Sequence, residues 1–186
     1  MILPVYAYGQ PVLKKKGAEV AKDRPGLEDL LANMWETMYH ANGVGLAAPQ
    51  IGQSLRIFLV DTVQVMEDED AEKGIKKAFI NAEILEEEGT PWAYEEGCLS
   101  IPNIRGDVER QEKIKIKYQD ENFNEYIEEY DGINARVIQH EYDHIEGKLF
   151  TDKLKPLKKK LISRKLEQIK KGKVKADYRL RFVSKK

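Results

Sequence analysis

Between Pro25 and Asn42 the apolar residues Leu27, Leu30, Leu31, Met34, Met38 and Ala41 recur every three or four positions, with polar residues between them. That is the period of one face of an α-helix, and Pro25 at its start and Gly43 at its end suit the first turn and the stop. The following Gly43–Pro49 segment holds too much Gly and Pro to continue the helix. Arg56–Asp61 (R-I-F-L-V-D) and Ala78–Leu85 (A-F-I-N-A-E-I-L) read as strands. Lys113–Tyr118 alternates strictly and Phe123–Tyr130 follows a short polar turn, which predicts a hairpin with one wet face. A second helix is expected from the cap residue Asp131 to Glu146, closed near Gly147. A third, basic helix is expected from Pro156 to Lys171 before Gly172, with a weak final strand over 174–182. Helices and mainly antiparallel strands in this order predict one α+β domain over residues 1–186. In it, 151–186 is a basic C-terminal extension, and no repeat or Pro/Gly/Ser linker divides the chain.

Composition narrows the class. The chain has 186 residues, enough for one full core, and its 41% hydrophobic and 34% charged content fits a soluble globular domain. No apolar run approaches the roughly 20 residues of a membrane helix. The N-terminus lacks a basic start followed by an apolar stretch, so no secretory signal is visible. A single cysteine, Cys98, excludes an intrachain disulfide framework and fits a reducing compartment, so a cytoplasmic location is expected.

The formal net charge of −1 conceals a division along the chain. Residues 1–147 hold 15 basic and 29 acidic side chains, a net of −14, whereas residues 148–186 hold 16 basic and 3 acidic, a net of +13. The acidic patch Glu67–Glu72 reads as a solvated loop, and the basic stretch raises the question of an anionic partner.

The strongest chemical signal is His140-Glu141-Tyr142-Asp143-His144, an H-E-x-x-H. Residues four apart on a helix differ by about 40° in azimuth and about 6 Å in rise. Both imidazoles therefore leave one face and can share a metal ion, with Glu141 beside it. Composition alone would produce this pattern on the order of 0.005 times in such a chain. Two His leave at least one protein ligand to find. A His at the third position of H-E-x-x-H-x-x-G-x-x-H is excluded, because Phe150 stands there. Glu167 would serve in a zinc endopeptidase, but it sits in a Lys-rich helix where pairing with a lysine is its ordinary role. Cys98 lies in Glu95-Glu96-Gly97-Cys98-Leu99-Ser100, a turn or strand end, and a two-His site with an open ligand position favours it as a metal thiolate. Gly43-Val44-Gly45-Leu46-Ala47-Ala48-Pro49-Gln50 lets backbone approach a ligand or pack tightly, and it lacks the Lys-Ser/Thr ending of a phosphate loop. The remaining histidine, His40, reads as a surface or cap residue at a helix end.

Three segments together resemble peptide deformylase of the bacterial type. The family's G-φ-G-φ-A-A-x-Q, E-G-C-φ-S and H-E-x-D-H motifs (φ, apolar) occur as Gly43–Gln50, Glu96–Ser100 and His140–His144. The likeness extends over roughly residues 1–150, with the acidic 67–72 region resembling an insertion. It implies metal-dependent hydrolysis of the N-formyl group from the formylmethionine of new polypeptides, releasing formate. By the same likeness, Cys98, His140 and His144 would hold one divalent metal with water as fourth ligand. The metal would be Fe2+ in the cell, with Zn2+, Ni2+ or Co2+ as alternatives. Glu141 would be general base and then proton donor, and Gln50 and the backbone N–H of Leu99 would stabilise the oxyanion. Val44 and Gly45 would pair with the substrate backbone, and Ile133 and Val137 would line a pocket for the methionine side chain. Formyl-Met nascent peptides are the implied partners, and the basic stretch 155–171 would assist docking to the ribosome; no membrane or DNA is expected. A purely RNA-binding module would leave the histidine and Gln50 segments unexplained.

Overall fold

The middle of the main sheet is apolar on both faces because a helix covers each side. The computed structural model describes residues 1–183, so residues 184–186 of the expected domain lie outside the described residues. In chain order the elements are β1 (Val5–Tyr6), α1 (Leu27–His40), β2 (Gly45–Ala47), β3 (Ile57–Asp61), β4 (Lys76–Glu88), β5 (Trp92–Cys98) and β6 (Ile101–Arg110). They continue with β7 (Lys113–Gln119), β8 (Glu125–Asp131), α2 (Gly132–Ile145), α3 (Pro156–Lys170) and β9 (Leu180–Arg181). An antiparallel five-stranded sheet runs β2-β3-β4-β7-β8, β5 and β6 form a separate antiparallel hairpin, and β1 pairs with β9 in parallel. The α+β class and the mainly antiparallel pairing agree with the sequence reading. Among the described residues no helix is long and apolar enough to cross a membrane.

All five residues of β3 are buried, which is why it reads as a continuous apolar run. Ile57 and Leu59 join Met34, Met38 and Leu46 under α1, while Phe58 and Val60 join Phe79, Ala135 and Ile138 under α2. Each such buried Val, Leu, Ile, Met or Phe side chain is worth about 1.5–3 kcal/mol. In β4 the alternation breaks: Ile80 packs in the first cluster and Ala82 in the second. Asn81 between them has φ 53°, and the β4–β7 register shifts just after Ile80, so a bulge turns the strand over. The Asn81 amide stabilises the bulge through bonds to both Val20 backbone groups and to Gln119 Oε1.

Several local expectations need correction. α1 begins at Leu27, two residues after Pro25, because Gly26 adopts φ 74° and turns the chain into the helix. Asp131 occupies the N-cap of α2, but its side chain makes no capping bond. The acidic 67–72 stretch is not wholly irregular, since Asp68–Lys73 forms exposed 3-10 turns. The final strand shrinks from 174–182 to Leu180–Arg181, its length set by the two residues of β1 that it pairs with. The β5–β6 hairpin has no counterpart in the sequence reading, which recognised only Cys98 at a possible strand end.

Candidate metal centre

α2 lies between the five-stranded sheet and the β5–β6 hairpin, and its two sides do different work. Ala135, Ile138 and Ile145 face the sheet core. Arg136, His140, Asp143 and His144, spaced one and two turns apart, present polar groups to the hairpin. The hairpin delivers Cys98 from the other side: register shifts between Gly97 and Cys98, and Cys98 pairs with Ile101 across the two-residue turn Leu99-Ser100. Ligand atoms of Cys98, His140 and His144 all lie within 4.8 Å of one another. Cys98 Sγ is 3.4 Å from His144 Nε2. Two imidazoles and a thiolate converging so closely form a donor set suited to a d-block cation.

The ligands are held by a buried charge network. Glu96 accepts from His140 Nδ1 at 2.8 Å, which fixes the ring and leaves Nε2 for the centre. The same carboxylate takes a bidentate pair from Arg110 at 2.8 and 2.9 Å and a further bond from Arg136 at 2.9 Å. Arg110 also reaches Asp143 at 2.8 Å, tying hairpin to helix, and Arg136 lies over the Trp92 ring at 4.5 Å. Burial alone pushes the Glu96 carboxyl up, but hydrogen bonds from His140 and Arg110 outweigh it and hold it well below the usual carboxylate range. In the sequence Glu96 is visible only as the first residue of the Glu96–Ser100 motif, with nothing local to mark its task. Arg110, Arg136 and Asp143 went unassigned because their partners lie far off in the chain, 33 residues for Arg110–Asp143 and 44 for Arg136 and the Trp92 carbonyl, beyond any local pattern.

Glu141 is buried beside the centre, and its Oε2 has no hydrogen-bond partner. Burial raises its carboxyl to about 7, against the pull of His140. Burial pushes His140 down, but its bonds with Cys98 and Glu96 prevail and raise it to about 10. His144 has no partner at Nδ1, and burial drives it well below its ordinary value. A cation among these donors would compete with the His140 proton and draw both groups' titrations down.

Gln50 is 1% exposed and its orientation is fixed from both ends. Its Oε1 accepts from the Ala47 N–H at 2.9 Å, so Nε2 must point toward Ser100 Oγ at 3.2 Å and Cys98 Sγ at 3.4 Å. Gly45 approaches Glu141 so closely that a Cβ there would stand 2.5 Å from Glu141 Oε1, which explains why the position has no side chain. β2 is the sheet's edge strand. Asp61 N–H donates to the Val44 carbonyl, so by antiparallel alternation Val44 turns inward to β3 and Gly45 turns its N–H and C=O to the open edge.

A cleft of about 880 Å³ opens onto these groups. Val44, Gly45, Gln50, Cys98, Leu99, Ile133, Val137, His140 and Glu141 line it, so the fold brings every expected site residue except His144 to the cleft wall, with His144 buried directly behind. Glu167 is elsewhere, exposed and paired with Lys170 at 3.3 Å, in the role expected of a surface carboxylate. His40 is exposed at the end of α1, on the cleft rim.

A family model described as polypeptide deformylase matches residues 2–160. The chain belongs to the polypeptide deformylase family. It is 56% identical to the peptide deformylase of Christiangramia forsetii, covering 100% of this chain and 98% of that one. It is 55% identical to the peptide deformylase of Flavobacterium psychrophilum, with 100% of each covered. Among solved structures, the peptide deformylase of Legionella pneumophila superposes with TM-score 0.80 at 37% identity, covering 92% of this chain and 96% of that one. That of Thermotoga maritima gives TM-score 0.75 at 42% identity, covering 84% and 99%. Polypeptide deformylases are metal-dependent hydrolases that remove the formyl group from an N-terminal methionine. The family match ends at residue 160, well before the final strand β9.

Proposed function

We propose that this deformylase works through Cys98, His140 and His144 as the ligands of one divalent metal, with Glu141 as the proton carrier. The observation that carries the reading is the convergence of three ligand atoms within 4.8 Å beside a buried carboxylate oxygen that has no partner. When bound there, a divalent ion supplies Lewis acidity, which lowers the pKa of adjacent water toward about 7 and polarises a carbonyl oxygen. Glu141 takes the proton of the attacking water and delivers it to the leaving amine, so one water and one formamide give formate and a free N-terminus. The Leu99 N–H and the Gln50 amide hydrogen directed at Cys98 donate to the oxygen that becomes negative. Loss of one such donor typically costs about 10²–10³ in turnover. Formate release from formyl-Met-Ala-Ser by anaerobically purified, metal-analysed protein tests this reading, and absence of release contradicts it.

Two imidazoles and a thiolate bind Fe2+, Zn2+, Co2+ and Ni2+ alike, and we take Fe2+ as the ion in the cell. The outward N–H and C=O of Gly45 would add the substrate backbone as a strand to β2. Ile133 and Val137, on the turns of α2 before His140, would receive the methionine side chain. Gly45→Ala is expected to lower kcat about 100-fold by displacing the Glu141 carboxylate. The melting temperature should also fall by a few degrees, because the Cβ would meet the buried Glu141 side chain at Cγ, 2.7 Å away, as well as at its carboxylate. Unchanged kcat would show that this contact is not needed for turnover.

The working location would be the cytoplasm, where nascent chains emerge. α3 supports ribosome docking: Lys158, Lys159 and Lys160 sit on a helix whose Leu157 and Leu161 are 70% and 67% exposed. Because residues 175–178 line the cleft, charge reversal tests docking better than deletion of the tail. Replacing Lys159 and Lys160 by Glu should reduce co-sedimentation with ribosomes, and wild-type binding should weaken steeply with salt. Equal sedimentation of variant and wild type would exclude this face.

A further inference from the structure

The chain beyond α3 returns to the centre. Gly172, with φ 68°, turns the backbone out of the helix, and the tail is then fastened at several points. The Asn103 amide donates to Lys175 O at 3.3 Å, Val5 N–H to Arg179 O at 2.9 Å and Ala7 N–H to Arg181 O at 3.0 Å. Gln10 Nε2 reaches Phe182 O at 2.8 Å. So held, Lys175, Ala176, Asp177 and Tyr178 form part of the cleft wall. Tyr178 goes further, donating its hydroxyl to the carbonyl of Leu99 at 2.7 Å.

That carbonyl belongs to the two-residue turn between Cys98 and Ile101. The turn is also gripped at Ser100, where Tyr8 N–H donates to Ser100 O at 2.8 Å and Gln50 Nε2 to Ser100 Oγ at 3.2 Å. Tyr178 completes the grip on the residue between Cys98 and Ser100. A bond at the Leu99 carbonyl limits rotation of the Leu99–Ser100 peptide, and in so short a turn it also limits the direction of the Leu99 N–H.

We propose that Tyr178, beyond the residues 2–160 that the family model matches, is a positioning residue for the reaction, holding the Leu99 carbonyl and thereby aiming the Leu99 N–H. The inference rests on the proposed role of that N–H as an oxyanion donor. Tyr178→Phe keeps the ring and removes only the donor. Wild-type formate release is the baseline, and its absence would count against the proposed function rather than against Tyr178. With that baseline present, Tyr178→Phe should lower kcat about tenfold, since small misplacements of an aligned group cost up to about 100-fold. KM should stay within about twofold of wild type, the pattern of an interaction made in the transition state. Metal content and melting temperature should match wild type, while amide exchange across residues 97–101 should quicken about tenfold and exchange in α2 stay unchanged. Wild-type kcat, a rise in KM alone, or a loss of activity in proportion to lost metal or lost fold would each overturn the proposal.

Discussion

Glu141→Gln is expected to lower kcat for deformylation by about 10²–10⁴, the range that a positioned proton carrier supplies. The substitution is close in shape, so the β2 backbone at Gly45 and the packing of α2 should persist. What it removes is the ability to accept a proton at Oε2, a buried oxygen with no hydrogen-bond partner. Glu141 is not among the converging ligand atoms, so metal content should stay at wild-type stoichiometry. Steady-state kinetics with parallel metal analysis separates the two properties. Full activity with metal in place would show that the proton travels by another route. Loss of metal together with activity would make Glu141 part of the binding site instead.

Cys98→Ala should have a still broader effect, emptying the centre and abolishing turnover. Weakening a group that merely orients a ligand costs about 10–100-fold in affinity, and removing a direct ligand goes beyond that. His140 would remain anchored to Glu96 and His144 would remain buried, so the two imidazoles persist while the donor set falls to two. Glu167→Ala is the informative counterpart, because its carboxylate is at the surface with Lys170 and should leave metal content untouched. Elemental analysis after dialysis reads both. Metal retained in Cys98→Ala and lost in Glu167→Ala would return the endopeptidase arrangement.

The parts of this molecule legible in sequence are those with local periodicity or chemistry. α1 was visible in its apolar spacing, α2 in the bounding Asp131 and Gly147, the β7–β8 hairpin in alternation, and the paired imidazoles in a four-residue interval. β5 and β6 were not, because Trp92–Cys98 and Ile101–Arg110 mix Gly, Pro and charge within the strands. The charges that obscured them are functional in the fold: Glu96 and Arg110 point inward to the network around α2. Tyr178 was invisible for a different reason, since 79 residues separate it from Leu99 and the tail's composition advertised only positive charge. The division of the chain into acidic and basic portions therefore does not separate the site from its surroundings, as the basic portion supplies one wall of the cleft.

The most direct test is hydrolysis of formyl-Met-Ala-Ser in 18O-labelled water by metal-loaded protein, with both products read by mass spectrometry. The account predicts one 18O atom in the released formate, none in the peptide, and loss of the reaction after chelation with recovery on adding Fe2+. Label in a new peptide carboxylate, or formate release that persists undiminished without metal, would contradict it.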